Sequence, residues 1–249
     1  MTRAGRVVLL VLGLGGLLAL LAIAAADLPA FGSVHSAYAA FARHAAYADR
    51  HAANSVAAVV FDVRGLDTMI EEFILFAAAT ATALLLRSTR EEDAERAEDH
   101  GEGDALKLFG IGGVGAVVVL GLYVVAHGYV SPGGGFQGGV VLATAAALVF
   151  LAGTYRAFRR VTPQSLLEGA ESLGVLAWPA LGVGTLASGS AFLANVLPPG
   201  SIGSLASAGT IPLLNAATGL AVASAFTLIG VEFLEELFAE RARGEEGRS

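Results

Sequence analysis

Long apolar segments separated by short polar ones occupy most of this 249-residue chain. Apolar runs of this kind predict membrane-spanning helices. Six are found, at residues 7–26, 73–86, 108–126, 139–157, 173–196 and 213–238. The composition agrees, because 55% of the residues are hydrophobic, only 15% are charged and the mean hydropathy is +0.68. The pattern therefore predicts an all-α, polytopic membrane protein with six transmembrane helices.

The first apolar segment permits two interpretations. Arg3 and Arg6 precede it and alanines end it before Asp27, as in a secretory signal peptide. The apolar core of a signal peptide is about 7–15 residues long, whereas residues 7–26 are enough to cross a bilayer. We favour a retained membrane span and keep a cleaved signal peptide as the alternative.

The charged residues exclude some function classes and divide the chain. A formal net charge of -7 argues against nucleic acid as a partner, because phosphate binding needs a surplus of Lys and Arg. The absence of cysteine excludes disulfides and thiolate metal sites. Eight acidic residues stand against Arg96 alone between residues 91 and 104. Such a block repels itself and stays solvated. We predict a two-helix module at 1–90, an acidic linker at 91–106 and a four-helix module at 107–249.

Charged residues also crowd at the start of the second apolar segment. Asp62, Arg64 and Asp67 surround Gly65, and we expect them to pair with one another or with a partner at the membrane surface. Glu71 and Glu72 follow at the edge of the span. Adjacent helical residues point about 100° apart, so at most one of the two should face the interior of the bundle.

Two other sets of polar residues have alternative interpretations. His44 and His51 are seven residues apart, which places them on one helix face, but no further metal ligand follows at a matching spacing. We therefore interpret them as polar residues of an extramembrane helix and expect no metal site. Glu232 lies near the end of the last apolar segment, where it sits either at the membrane interface or in a hydrated cavity.

A glycine-rich loop at residues 127–139 separates the third and fourth apolar segments. Five of its six glycines follow Pro132, which fixes its own φ and lacks an N–H. Irregular backbone in a membrane protein needs protein or water to satisfy its polar groups, so we expect the loop to be buried against another surface. We predict an assembly and positioning element formed by His127, Pro132, Gly133, Gly134, Gly135, Phe136, Gln137, Gly138 and Gly139.

The stretch that begins at Asn54 resembles a known family. Asn54-x-Val56, followed by Asp62-x-Arg64-Gly65-x-Asp67-Thr68 and Glu71, resembles the C-terminal module of the large A subunit of multisubunit Na⁺/H⁺ antiporters, and its counterpart in membrane-bound hydrogenases. The family usually has glycine where this chain has Ile70. The resemblance implies that Glu71 is the acid of an ion path, with Asp62, Arg64, Asp67 and Glu232 as further candidates.

The glycine loop extends the resemblance. His127-Gly128 with Ser131-Pro132-Gly133-Gly134-Gly135-Phe136-Gln137-Gly138-Gly139 is similar to the signature of the B subunit of the same antiporters, although the family has the histidine and the glycine in the opposite order. The family also tends to carry a lysine in the stretch that reads Gly219-Leu220-Ala221-Val222 here. Together the two resemblances cover about residues 54–86 and 108–238.

The resemblance implies an accessory membrane subunit of a multisubunit cation/proton antiporter, which moves Na⁺ and H⁺ together with other membrane subunits. Such a subunit helps to assemble the complex and to line its ion path, needs no cofactor and is not an enzyme. Two alternatives remain open. One is the equivalent subunit of a membrane-bound hydrogenase or related redox complex, and the other is a scaffold that moves no ion.

The basic residues indicate the orientation in the membrane. With six spans and an inner N-terminus, twelve Lys and Arg residues fall on inner segments and only Arg43, Arg50 and Arg64 on outer ones. Under the positive-inside rule, both termini are predicted to be cytoplasmic and the glycine loop to lie on the outer face of the cell membrane.

We predict that the acidic linker tolerates moderate shortening, because it has no apolar face to bury and needs only to let the two modules reach each other. Ion transport by the assembled complex should be unchanged in such a variant. If neutralising its acids alone abolished transport while the complex still assembled, the linker would be more than a tether.

Overall fold

A computed structural model of the chain describes residues 3–28, 36–87, 104–152 and 155–246. Within these ranges every regular element is helical, which confirms the predicted all-α class. The α-helices are α1 (Arg3–Ala26), α2 (Ala37–His44), α3 (Ser55–Ala58), α4 (Gly65–Arg87), α5 (Asp104–Ala126), α6 (Gly135–Ala152), α7 (Tyr155–Val161), α8 (Gln164–Ala187) and α9 (Ile211–Glu246). Two single π-helical turns, Ala45–Asp49 and Val59–Val63, follow α2 and α3.

The chain divides into two compact units, Met1–Phe41 and Ala42–Ser249. The first unit contains α1, which is apolar on all sides. A helix of this kind has no polar face for water and is typical of a membrane span. The predicted acidic linker lies largely outside the described residues, so the predicted division of the chain at that linker stays a prediction.

In the second unit, α9 is the central helix and packs against α4, α5, α6 and α8. Its buried positions recur every three or four residues and so form one broad stripe along the helix. They are Ile211, Leu214, Asn215, Ala217, Thr218, Ala221, Val222, Ser224, Ala225, Leu228, Val231, Glu232 and Glu235. Among them is Ala221, in the stretch where the family tends to have lysine.

Small residues let the backbones of these helices approach closely. A Cβ atom added at Gly139 of α6 would lie 2.7 Å from Cβ of Val222, and one at Gly174 of α8 would lie 2.6 Å from the carbonyl oxygen of Ala217. Both distances are shorter than any normal contact of a Cβ atom, so neither position has room for a side chain. Close packing through small residues is the usual basis of helix association in membranes, where lipid is as apolar as the helices.

The number of predicted spans needs correction. Among the described residues, four helices are long and apolar enough to cross a membrane, namely Gly65–Leu86, Gly135–Ala152, Ala157–Ala187 and Ile211–Leu237. The other two predicted spans correspond to shorter apolar stretches, Leu10–Ala26 and Gly112–Ala126. Each of these stretches has fewer than 18 residues within the part of the chain that the structure describes, so four spans and not six meet this criterion there.

The fifth predicted span is also displaced. Helix α8 begins at Gln164 and ends at Ala187, whereas the prediction was 173–196. It ends because Gly189 takes a positive φ of 81° and donates its N–H to the carbonyl of Leu186, a common helix stop. After this stop, Leu193 joins Trp178 and Phe61 in the protein core, with Phe192 packed against them.

The contact between α6 and α9 predicts a stability effect. Replacing Gly139 with Ala should lower the free energy of unfolding by about 1–3 kcal/mol, because the added methyl group collides with Val222 and overpacks the interface. Thermal unfolding of the protein in detergent measures the change.

The matched control is Gly112→Ala in α5, where an added Cβ has no atom within 4 Å among the described residues. This variant should unfold at or slightly above the wild-type temperature, since alanine favours a helix over glycine. Equal stability of the two variants would contradict close α6–α9 packing.

Candidate functional site: the glycine loop and the buried carboxylates

The glycine loop joins α5 to α6 and is attached to the polypeptide just before α3. The Asn54 side chain donates from Nδ2 to the carbonyl oxygens of Gly128 (2.6 Å) and Ser131 (3.1 Å), while its Oδ1 accepts the N–H of Val56 at 3.0 Å. Its backbone N–H also donates to the carbonyl oxygen of Tyr129 at 3.0 Å. One residue therefore caps α3 and fixes the loop.

A second asparagine holds the loop from the opposite side. Asn215 of α9 is 1% exposed. Its Oδ1 accepts the N–H of Gly135 at 2.7 Å, and its Nδ2 donates to the carbonyl oxygen of Val125. Gly135 begins α6 and Val125 lies in the last turn of α5, so both backbone groups lie at helix ends, where intrahelical partners run out. One buried amide thus bonds the first N–H of α6 and a carbonyl at the end of α5, which also accepts the N–H of Gly128 at 3.3 Å.

The backbone of the loop explains its glycines. Gly133 and Gly134 take φ values of 151° and 149°, which residues with a Cβ atom rarely adopt. A Cβ atom at Gly128 would lie 2.6 Å from Cα of Gly134, so the two ends of the turn are in direct backbone contact. The expectation that the loop is shaped backbone buried against protein is confirmed, whereas its role in assembling a complex stays a prediction.

The other side chains of the loop differ in their surroundings. The buried Tyr129 donates its hydroxyl to the carbonyl oxygen of Leu205 at 2.6 Å, and burial raises the pKa of this phenol. His127 stacks on Tyr123 with 4.1 Å between ring centroids. Phe136 is half-buried, while Pro132 and Gln137 are exposed. Sequence reasoning did not identify Tyr129, which anchors the loop to the segment after α8.

The charges around Gly65 form two separate ion pairs, of which the Arg64–Asp67 pair was expected and the pairing of Asp62 with Arg50 was not. Arg50 Nε lies 2.5 Å from Oδ2 of the largely buried Asp62. Arg64 instead bonds to Asp67, with 2.6 Å from Nε to Oδ2. Arg64, Asp67 and Glu71 then line one surface cavity of about 380 Å³, together with Val59, Val60 and Thr68. The structure thus brings together three of the predicted ion-path residues and places Asp62 in a different ion pair.

Of the two adjacent acids of α4, only one is buried, as helix geometry predicts, and it is Glu72. Glu71 is exposed in this chain, whereas Glu72 is 1% exposed. Neither carboxylate oxygen of Glu72 has a hydrogen-bond partner among the described residues, although the hydroxyl of Thr218 lies beside it. Adjacent residues of a helix point about 100° apart, but the sequence does not show which face of α4 meets α9. The role of Glu71 stays a prediction.

Three more carboxylates are buried, two in α9 and one in α8. Glu232 is fully buried and accepts from Gln164 Nε2 at 3.0 Å, so it does not lie on the outer surface of this chain. Glu235 pairs with Arg159 at 2.7 Å. Glu171, at 2% exposed, was not predicted at all. Its position three residues after Glu168, in a polar stretch before the predicted fifth span, gave no signal that it is buried.

The two histidines that are seven residues apart have separate partners. His44 Nδ1 lies 3.8 Å from an oxygen of Asp49, and His51 Nδ1 lies 2.5 Å from the carbonyl oxygen of Gly200. Within the described ranges, no group of three His, Cys, Asp or Glu side chains could hold a metal ion.

The loop geometry makes a prediction about Asn215. Its replacement by Ala leaves the N–H of Gly135 without its side-chain acceptor, at a cost of about 1–3 kcal/mol, and removes one of the two donors to the carbonyl of Val125 within the described part of the chain. The variant should unfold at a lower temperature, and the amide of Gly135 should exchange its hydrogen faster. Gln137→Ala removes an exposed amide from the same loop and should leave both measurements unchanged. A normal melting temperature for Asn215→Ala would show that the loop does not depend on this bridge.

The sequence of this chain is similar to a known protein family and to an archaeal protein. Residues 113–228 match the family model described as a domain related to the MnhB subunit of Na⁺/H⁺ antiporters. An uncharacterized protein of Methanocaldococcus jannaschii, MJ1307, is 30% identical over 196 residues, which is 68% of this chain and 72% of that protein.

Two solved membrane complexes contain chains of similar fold. A chain of the membrane-bound sulfane sulfur reductase, an archaeal respiratory membrane complex, is 30% identical with a TM-score of 0.75, covering 92% of this chain and 98% of its own length. A chain of the Mrp complex from Dietzia sp. is 21% identical with a TM-score of 0.72, covering 93% of this chain but 26% of its own length, and that likeness concerns the fold alone. The chain thus belongs to the family of membrane proteins related to the MnhB subunit of Na⁺/H⁺ antiporters.

Proposed function

We propose that this chain is an accessory membrane subunit of a multisubunit cation/proton antiporter complex, in which it helps to assemble the complex and lines part of the ion path. The observation that carries this proposal is Glu72, a carboxylate buried inside a membrane-spanning helix with no hydrogen-bond partner among the described residues. Ionisable residues in such places are costly and mark ion or proton routes. Membership of the MnhB-related family supports the same function.

The two proposed modules of this subunit meet at the glycine loop. Asn54 belongs to the module that resembles the antiporter A subunit, and the loop belongs to the module that resembles the B subunit. The hydrogen bonds of Asn54 to Gly128 and Ser131 hold the two together, and α4 packs on α9 across the same boundary. In the antiporter A subunit and B subunit these parts would contact each other as separate chains, and here a covalent linker would keep them together.

The surface cavity beside Glu71 fits the mouth of an ion path. Its charged lining residues are Arg64, Asp67 and the exposed Glu71, at the start of α4. The buried Glu72 is the next residue along the same helix. We propose that a neighbouring membrane subunit covers this cavity and that Na⁺ and H⁺ are the transported ions. Asp62, in its ion pair with Arg50, would shape the mouth and not carry ions.

The same role in a redox-driven complex is a second candidate. The similarity to a chain of the sulfane sulfur reductase, at 30% identity over almost the whole of both chains, favours it. A purely structural subunit is the third candidate, but this role does not explain why the carboxylate of Glu72 is buried. In all three cases the chain is not itself an enzyme, needs no cofactor of its own and resides in the cytoplasmic membrane with both termini in the cytoplasm.

Extraction of the intact complex in mild detergent distinguishes the candidates. We expect mass analysis to find large membrane subunits together with this chain. Hydrophilic iron–sulfur or nickel subunits among them would indicate the redox-driven complex, whereas their absence with Na⁺-dependent proton movement in vesicles would indicate the antiporter. Recovery of the chain alone would contradict every form of the proposal.

Substitution of the two adjacent acids tests the ion path. Glu72→Gln should leave the complex intact but lower cation-dependent proton movement, by roughly tenfold, because the only buried carboxylate of this helix turn is lost. Glu71→Gln should also lower transport, but by less, since Glu71 is exposed at the mouth. Proton movement is followed in vesicles that contain the whole complex.

Glu236→Gln, an acid of α9 that does not line the cavity, serves as the control for loss of one charge. If transport were normal in both the Glu72 and the Glu71 variants, these acids would be structural. A defect in the Glu71 variant alone would return the role to the residue that the sequence resemblance indicates.

A further inference from the structure

A second cavity, half-open to the surroundings, lies between three helices of the bundle, away from the mouth beside Glu71. It has a volume of about 280 Å³ between α4, α8 and α9. Its lining residues are Phe76, Thr80, Ala83 and Leu84 of α4, Glu168, Glu171 and Ser172 of α8, and Leu228 of α9. Two carboxylates and two hydroxyl groups thus contribute to a cavity whose other walls are apolar. A volume of this size holds several water molecules.

Glu171 is the distinctive group of this cavity. It is 98% buried, and its Oε1 has no hydrogen-bond partner among the described residues. A bare carboxylate in such a place costs several kcal/mol, and the cost is avoided when the group holds a proton or a cation. Oxygen atoms of carboxylates and hydroxyls are the ligands that small, hard cations prefer. Thr80 and Ser172 supply hydroxyl groups around the same cavity.

The cavity is aligned with two other buried acids along the helices. On α4, Glu72, Phe76, Thr80 and Ala83 recur at spacings of three and four residues, so the acid and the cavity share one face of the helix. On α9, Glu232 lies one turn after Leu228. The cavity therefore lies along the helices between Glu72 on one side and Glu232 on the other.

We propose that Glu171 and the hydroxyl groups of Thr80 and Ser172 form a cation–proton exchange site inside this subunit. The site rests on the proposed function and extends it, because it assigns the exchange to a residue that belongs to neither family motif and lies in α8. The Glu171 carboxyl group holds a proton when the cavity contains only water, and releases it when a small monovalent cation binds to the carboxylate. The cation moves in and the proton moves out, so the net charge of the site is unchanged.

A hydrophobic carbodiimide tests the site in the wild-type complex. This reagent modifies protonated carboxyl groups in apolar surroundings, and peptide mass spectrometry shows which residue carries the label. We expect Glu171 to be labelled, and Na⁺, Li⁺ or K⁺ to protect it at concentrations at which choline chloride does not. Labelling that none of these three cations reduces, or a Glu171 that is never labelled, would overturn the proposal.

Variants then connect the site to transport. Glu171→Gln should lower cation-driven proton movement in vesicles by roughly tenfold or more, and Glu171→Asp should restore part of it. Thr80→Ala should raise the concentration of cation that gives half-protection in the labelling experiment, because one ligand oxygen is lost. The Glu236→Gln complex is the control and should behave as wild type in both measurements.

Recovery of the other membrane subunits with each variant separates this inference from the proposed function. An intact complex that transports normally with Glu171→Gln would overturn the exchange site while leaving the subunit assignment unaffected. Failure of even the wild-type chain to bring down other subunits would instead contradict the proposed function. The labelling of the wild-type protein needs no substitution, so it tests the site even if Glu171→Gln does not fold.

Discussion

The buried amide of Asn215 is the interaction on which the rest of the bundle depends. Between α5 and α6 the helical backbone stops and turns, which leaves N–H and C=O groups without partners inside a protein that lies in lipid. Asn215 satisfies one group of each helix, and Asn54 satisfies two carbonyls in the turn between them. Both amides come from outside the loop, so the turn cannot take this shape until α9 and the segment before α3 have packed against it.

The position of Asn215 on α9 also links the loop to the buried acids. Thr218, one turn further, lies beside Glu72 and accepts a hydrogen bond from Trp178 at 3.3 Å. Trp178 is fully buried and stacks on Phe61, with 5.9 Å between ring centroids. The same helix face therefore fixes the loop, the core beneath it and the first buried carboxylate. Small residues of α6 and α8 keep this face close to its neighbours.

Polar side chains inside the bundle fall into two groups with different consequences. Asn54, Asn215, Trp178 and Tyr129 have their hydrogen bonds satisfied, which makes the structure specific. Glu72 and Glu171 have carboxylate oxygens without partners among the described residues, which makes them costly for stability. The buried amides therefore stabilise the fold, whereas the two buried acids do not. That contrast is the physical basis for the proposal that this chain takes part in ion movement.

Much of this protein was determined by the sequence alone. Apolar segment length and composition gave the all-α membrane class, and the string of residues at 127–139 indicated both the family and a buried, shaped loop. The number and ends of the spans were less predictable, because helix stops such as Gly189 and the packing of Leu193 depend on contacts that hydropathy does not record. Only the tertiary structure decided between Glu71 and Glu72, and only it revealed Glu171. Adjacent acids look equivalent in a sequence, and what distinguishes them is which side of α4 meets α9, a choice made by packing between segments more than 100 residues apart.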